Sequence, residues 1–101
     1  MNPHSLGERD ANEPEIIRAL ERIGASVIRM HTPVDLLCGF RGCNYLIEIK
    51  RPLGPKGGKR GRDLTPDQRV FFKVWHGKVH IVRTPTEALL AVGALQSGAF
   101  H

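Results

Sequence analysis

The spacing of apolar residues along the chain predicts an alternation of helices and strands. Helical spacing predicts three helices, over about residues 13–23, 66–75 and 85–95. Shorter apolar runs predict strands over about residues 26–30 and 80–83 and a hairpin over about 34–50. The predicted order is αβββαβα without an internal repeat, which indicates a single α/β domain over residues 1–101, with residues 1–11 as a flexible arm.

Residues at the helix ends support these boundaries. Asn12 is expected to cap the first helix, and Gly24 is expected to end it. Thr65 is expected to cap the second helix, with Gln68 as its capping-box partner three residues later.

The hairpin brings charged residues of two apolar runs together. The glycine-rich segment 39–44 between the runs is typical of a turn. If the turn is centred on the middle bond of this segment, Asp35 lies directly opposite Glu48, with Cβ atoms about 4.5–5.5 Å apart. Lys50 then shares the face of Glu48, because side chains alternate along a strand. A register slip of one residue would remove this arrangement.

The two faces of the hairpin differ in polarity. The face opposite the charged residues is apolar throughout and is expected to form core: Val34, Leu36, Cys38, Tyr45, Ile47 and Ile49. Charged residues in strands are costly to bury unless they are paired or bound to a metal. Asp35, Glu48 and Lys50 therefore indicate either a functional site or a cross-strand salt bridge on a solvated face.

Helical phase adds two candidates to this group. Glu13 precedes the apolar stripe of the first helix and falls on its buried side, whereas Glu15 falls on the solvent side. Glu13 is thus a functional candidate or a carboxylate favoured by the helix dipole. Gln68 likewise starts the stripe of the second helix; it is either a site residue or a capping residue, and we expect the two roles to need different side-chain conformations.

Composition restricts the class of protein. The chain has 101 residues, a net charge of +5 and 41% hydrophobic residues, which indicates one domain with a core and a preference for polyanions. It has no apolar run near the roughly 18 residues that span a membrane, and its first ten residues lack the apolar segment of a signal peptide. Its two cysteines, Cys38 and Cys43, form no disulfide framework. We therefore expect a cytoplasmic protein with reduced cysteines.

Carboxylates that converge with a lysine suit Mg²⁺-dependent hydrolysis of phosphodiester bonds. Mg²⁺ prefers oxygen ligands and keeps several waters. It polarises a phosphate and lowers the pKa of an attacking water, and a nearby lysine stabilises negative charge in the transition state. Mn²⁺ is the expected substitute for Mg²⁺.

Asp35 followed by Glu48-Ile49-Lys50 resembles the motif of PD-(D/E)xK nucleases. Residues 12–20, followed by Gly24-Ala25, resemble the first helix of archaeal Holliday-junction resolvases and of VRR-NUC nucleases. Residues 64–68 and 81–84 resemble the VRR-NUC group, which includes small stand-alone phage members. The resemblance covers about residues 10–92 and implies a restriction-endonuclease-like αβββαβ core, with a mixed central sheet flanked by helices.

The resemblance also implies roles for individual residues. Metal ligation is implied for the carboxylates of Glu13, Asp35 and Glu48 and for the backbone carbonyl of Ile49. The three carboxylates, with Lys50 as catalytic lysine and Gln68 as a polar residue of the second helix, would form the catalytic set. Val34 departs from the pattern, which has proline before the aspartate.

The leading interpretation is a metal-dependent endonuclease that is selective for branched DNA such as Holliday junctions. Because so small a protomer offers little surface for two symmetric cuts, we expect a homodimer. Apolar residues near the C-terminus could supply an interface or belong to the core: Leu89, Leu90, Val92, Leu95 and Phe100. The alternatives are a flap, single-strand or restriction-like nuclease, and a non-catalytic DNA-binding module or subunit of a replication or repair assembly.

A basic segment directly follows Lys50. Residues 51–63 are predicted to form a flexible loop, in which residues 51–62 carry five positive charges and no negative ones: Arg51, Lys56, Lys59, Arg60 and Arg62. Basic side chains without interleaved aromatics contact phosphates rather than bases. The segment is therefore expected to bind the DNA backbone, unless it is only a solvated loop.

Neutralising Lys56, Lys59, Arg60 and Arg62 together is expected to flatten the salt dependence of DNA binding. The slope of log affinity against log salt concentration falls by about 0.9 for each phosphate that the protein no longer neutralises. Fluorescence anisotropy over a salt series measures this slope. An unchanged slope would show that the segment does not contact phosphates.

Overall fold

The computed structural model describes residues 11–51 and 65–95, which form a four-stranded mixed sheet with flanking helices. The elements are α1 Glu13–Arg22, β1 Ser26–Arg29, β2 Leu36–Phe40, β3 Cys43–Ile49, α2 Pro66–Val74, β4 His80–Val82 and α3 Pro85–Ala91. This order confirms the predicted one. The predicted arm and basic loop fall outside the described residues, except for the exposed Ala11 and Arg51.

The sheet has the strand order β1-β2-β3-β4. β1 and β3 each pair antiparallel with β2, whereas β3 and β4 are parallel. Phe40 pairs with Cys43, and the pairing runs on to Leu36 opposite Ile47. The predicted register of the hairpin is therefore confirmed.

A two-residue turn sets this register. Arg41 and Gly42 join β2 to β3, with φ angles of 54° and 80°. Two consecutive positive φ angles match the twist of the flanking strands, and glycine adopts such angles without steric cost. The middle of the glycine-rich segment therefore forms the turn, as the pattern predicted.

One face of the sheet packs against α1 and α3. The core joins helix residues to alternate strand residues: Ile16, Leu20, Leu36, Cys38, Phe40, Ile47, Ile49, Val82, Ala88 and Val92. The Tyr45 hydroxyl donates a hydrogen bond to the Val92 carbonyl (3.3 Å), which ties β3 to the end of α3. The predicted apolar face is thus confirmed as core. Both cysteines are free, Cys38 in this core and Cys43 exposed.

The apolar residues predicted near the C-terminus divide between core and surface. Val92 is buried and Leu89 packs against the core, whereas Leu90 and Leu95 are 37% and 42% exposed. Phe100 lies outside the described residues. No helix within residues 11–51 and 65–95 is long and apolar enough to cross a membrane.

Asn12 holds the start of α1 against the sheet. Its Nδ2 donates to the carbonyls of Lys50 (3.1 Å) and Arg83 (2.7 Å), which follow β3 and β4. Asn12 occupies the N-cap position, but its side chain makes no capping hydrogen bond. The predicted capping role is therefore wrong, because the buried amide satisfies two strand-end carbonyls instead. This contact fixes the first turn of α1 at the carboxyl ends of β3 and β4.

Helix α2 is exposed compared with the other helices. None of its residues is buried, and Val70 and Val74 are 62% and 63% exposed. Its aromatic residues contact each other, with Phe71 stacked on Trp75 at a centroid distance of 5.3 Å. A polar contact of Gln68, described below, connects α2 to the segment that precedes β2.

Replacing Asn12 with alanine is expected to lower the free energy of unfolding by about 2–3 kcal/mol. The change leaves two strand-end carbonyls without their donor, and an unsatisfied buried group costs about 1–3 kcal/mol. Urea denaturation followed by circular dichroism measures the loss. Asn44→Ala is the matched control, because Asn44 is an exposed residue of the same sheet; equal stabilities of the two variants would contradict the assigned role.

Candidate active site

Asp35, Glu48 and Lys50 come together at the sheet end where β3 finishes. Asp35 directly precedes β2, and its Oδ2 accepts a hydrogen bond from the Ile49 N–H (2.8 Å). The Asp35 carbonyl accepts one from the Met30 N–H (2.7 Å), which follows β1. Asp35 is therefore held from both neighbouring strands, beside Glu48.

Glu48 is a buried carboxylate with the Lys50 ammonium beside one of its oxygens. Its residue exposure is 3%, and its Oε2 lies 3.1 Å from Lys50 Nζ. Its Oε1 is buried and has no hydrogen-bond partner among the described residues. Glu48 and Lys50 therefore share one face of β3, as the alternation of the strand requires.

The environment of Glu48 favours its protonated form. Burial is the largest cause that raises the pKa of its carboxyl group, and the negative charge of Asp35 raises it further. The side chains of Gln68 and Lys50 act in the opposite direction and do not cancel the increase in the pKa. A second positive charge at this position would therefore stabilise the ionised form.

Gln68 caps its helix and faces the site in a single conformation. Its Oε1 accepts from the Thr65 N–H (3.3 Å), while the Thr65 hydroxyl accepts from the Gln68 N–H (3.2 Å). Its Nε2 donates to the Pro33 carbonyl (3.3 Å), two residues before Asp35. Capping and a position against the segment before Asp35 therefore occur in one side-chain conformation, because the two ends of the amide make different contacts. A catalytic role of Gln68 stays a prediction.

Glu13 is buried as predicted, and its counter-ion comes from β1. Glu13 is 2% exposed, whereas Glu15 is exposed, which confirms the predicted helical phase. Glu13 Oε2 accepts from Arg29 Nε at 3.4 Å.

Within residues 11–51 and 65–95, no three histidine, cysteine, aspartate or glutamate side chains surround a common metal position. Metal ligation by Glu13 stays a prediction.

The donor set at Asp35 and Glu48 fits a hard divalent cation. Glu48 Oε1, which has no hydrogen-bond partner among the described residues, is available to a cation, and Asp35 supplies a second carboxylate beside it. Mg²⁺ binds proteins through one or two carboxylates and keeps several waters, so a pair suffices. The backbone carbonyl of Ile49, at the end of β3, is the remaining predicted ligand.

The predicted DNA contacts begin at this same sheet end. Arg51 is exposed and directly follows Lys50. The other predicted contacts, Lys56, Lys59, Arg60 and Arg62, lie outside the described residues.

Two residues near the site are not evident from the sequence pattern. Arg29 lies in a predicted apolar strand, where no motif assigns it a role, although it ends a strand that leads to the segment with Asp35. Asn12 directly precedes a helix, where asparagine is usually an N-cap residue. The sequence therefore suggests capping rather than its contacts with the strand ends. The available signal is position, since Asn12 precedes a helix and Arg29 ends a strand, and the predicted topology gathers these element ends at one end of the sheet.

The fold and site define a mixed α/β domain that carries two carboxylates and a lysine at one end of its sheet. The chain matches no protein-family model, no curated protein and no solved structure. A functional assignment therefore depends on the geometry of the site and on the motif resemblance.

Glu48→Gln is expected to raise the free energy of unfolding at pH 8 in EDTA. Folding raises the pKa of Glu48 above its ordinary value of 4.5. At pH values between the unfolded-state and folded-state pKa, the folded wild type therefore binds more protons than the unfolded chain. Its free energy of unfolding consequently falls as the pH rises through that range. Chemical denaturation between pH 4 and pH 8 measures the effect. The advantage of Glu48→Gln should shrink towards the acid end, and a pH-independent difference would contradict this account. Glu21→Gln, a change at an exposed glutamate of α1, is the control.

Proposed function

We propose that this protein is a metal-dependent DNA endonuclease of the PD-(D/E)xK type, with a restriction-endonuclease-like core. The observation that carries the proposal is the buried Glu48, whose pKa is raised and whose Oε1 has no partner among the described residues, between Asp35 and Lys50. A surface salt bridge would not account for it, because cross-strand pairs on a solvated face leave their carboxylates exposed.

The residues present suit phosphodiester hydrolysis. Asp35 and Glu48 would hold Mg²⁺ or Mn²⁺, which supplies polarisation of the phosphate and a water of lowered pKa. The Ile49 N–H orients the Asp35 carboxylate, and Glu48 orients the Lys50 ammonium. Lys50 thereby presents a positive charge to the phosphate oxygens, where negative charge develops in the transition state. Gln68 holds α2 against the segment before Asp35 and thereby limits the movement of that segment.

Charge and resemblance together favour DNA as the substrate. The net charge of +5 and the basic residues from Arg51 onwards suit a polyanion. The likeness to Holliday-junction resolvases and to small phage VRR-NUC proteins favours branched DNA and a cytoplasmic homodimer that makes two symmetric cuts. Linear, flap and single-stranded substrates distinguish the other nuclease classes.

Purified protein is expected to cleave labelled four-way junctions with Mg²⁺ or Mn²⁺ and not with EDTA. Asp35→Asn and Lys50→Ala are each expected to lower the rate roughly 100-fold or more, the usual effect of removing one charge-stabilising group. Gel electrophoresis of linear, flap, single-stranded and junction substrates measures cleavage.

The matched controls are Asp67→Asn and Lys73→Ala, which change exposed residues of the same types on α2 and should cleave at the wild-type rate. Cleavage that persists in both site variants would exclude the proposed site. Binding without cleavage in every metal would instead indicate a non-catalytic DNA-binding module.

A further inference from the structure

We propose that Arg29 binds a backbone phosphate of the DNA beside the scissile bond and that Glu13 is its positioning residue. The inference rests on the proposed function for the identity of the ligand. It gives Glu13 a role other than metal ligation and adds a phosphate contact from β1.

The position of Arg29 places it next to the candidate site. Arg29 is the last residue of β1 and pairs with Leu36, which directly follows Asp35. The next residue, Met30, donates its N–H to the Asp35 carbonyl (2.7 Å). The backbones of Arg29 and Asp35 are thus adjacent at the sheet end that also carries Glu48 and Lys50.

The two ends of the Arg29–Glu13 pair lie in different environments. The Glu13 side chain is 2% exposed, whereas the Arg29 side chain is 54% exposed. Glu13 engages the Nε of the guanidinium, at 3.4 Å. In the part of the chain that the structure describes, the terminal nitrogens of Arg29 make no hydrogen bond. Four N–H groups in a planar fork thus remain for an oxyanion.

Stability alone does not explain this pair. A buried carboxylate loses its hydration, and replacing a buried ion pair with well-packed neutral residues is often neutral or stabilising. A carboxylate at Glu13 does, however, restrict a long and otherwise mobile side chain on the surface. A preorganised arginine loses less conformational freedom when it binds a phosphate.

The two sides of the sheet end would contact neighbouring phosphates of one DNA strand. Directly paired residues share a face, so Arg29 lies on the α1 side with Leu36, whereas Glu48 and Lys50 lie on the other side. A strand whose scissile phosphate lies at Asp35 and Glu48 would place a neighbouring phosphate across the strand ends, towards Arg29. One arginine fork provides a bidentate contact there.

The first test is DNA binding in EDTA, where no cleavage occurs. Arg29→Gln is expected to weaken binding to a four-way junction about 10-fold and to lower the salt slope by about 0.9, the contribution of one phosphate. Arg29→Lys should keep the slope and lose part of the affinity, because lysine keeps the charge but not the fork. Arg22→Gln, at the other end of α1, is the control and should bind like the wild type.

The second test separates the two roles of Glu13. Glu13→Gln should weaken junction binding in EDTA, and the double variant Glu13→Gln/Arg29→Gln should bind no more weakly than Arg29→Gln. In calorimetric titration with Mn²⁺, Glu13→Gln should bind the metal like the wild type, whereas Asp35→Asn should bind it at least 10-fold more weakly. Urea denaturation confirms that each variant is folded.

Two results would overturn the proposal. One is an affinity and salt slope of Arg29→Gln equal to those of Arg22→Gln. The other is a loss of Mn²⁺ affinity in Glu13→Gln as large as in Asp35→Asn, which would make Glu13 a metal ligand. A wild type that binds junctions but cleaves nothing in any metal would instead remove the proposed endonuclease activity, while the binding tests of Arg29 keep their meaning.

Discussion

The two hydrogen bonds from the Asn12 amide bring α1, and Glu13 with it, to the end of the sheet where Asp35, Glu48 and Lys50 meet. Nδ2 joins the carbonyls of Lys50 and Arg83, at the ends of the parallel strands β3 and β4, to the residue that starts α1. Glu13 is the next residue, so the same contact delivers its carboxylate to this end of the sheet. Parallel strands leave such carbonyls unpaired where they finish, and burial of a carbonyl requires a donor. A structural requirement of the backbone therefore places α1 against the site.

The carboxylate of Glu48 shows a balance of opposing charges at that end. Burial and the negative Asp35 favour its protonated form, while Lys50 and Gln68 favour the ionised form without prevailing. Two adjacent carboxylates lower the stability of the free protein, because like charges in a low-dielectric region repel each other. A neutral residue in place of one of them would be more stable. A divalent cation reverses this preference, since it attracts both carboxylates at once. The cost of bringing them together in the free protein is thus an argument for a ligand.

Local geometry made much of the fold and the central trio predictable. A hairpin needs only the position of its turn, and the turn residues Arg41 and Gly42 stand at the middle of the glycine-rich segment. The helical phase of Glu13 follows from apolar spacing in the same way. The role of Asn12 does not, because its acceptors are 38 and 71 residues away and no local rule relates them. The double contact of Gln68 escapes a sequence pattern because one amide can donate and accept at once.

The Arg29–Glu13 pair lies on the α1 side of the sheet, opposite to Glu48 and Lys50. Glu48 and Lys50 point to one side of β3, and Arg29 lies with α1 on the other. All three nevertheless stand at or directly after the ends of β1 and β3, the two strands that flank β2. A ligand confined to one face would meet only part of this set. A polyanion that crosses the strand ends meets the carboxylates and lysine first and the arginine next, with Arg51 exposed along the same edge. Extended DNA has this shape and a regular spacing of charge, so the arrangement favours a backbone strand over a compact phosphate ester.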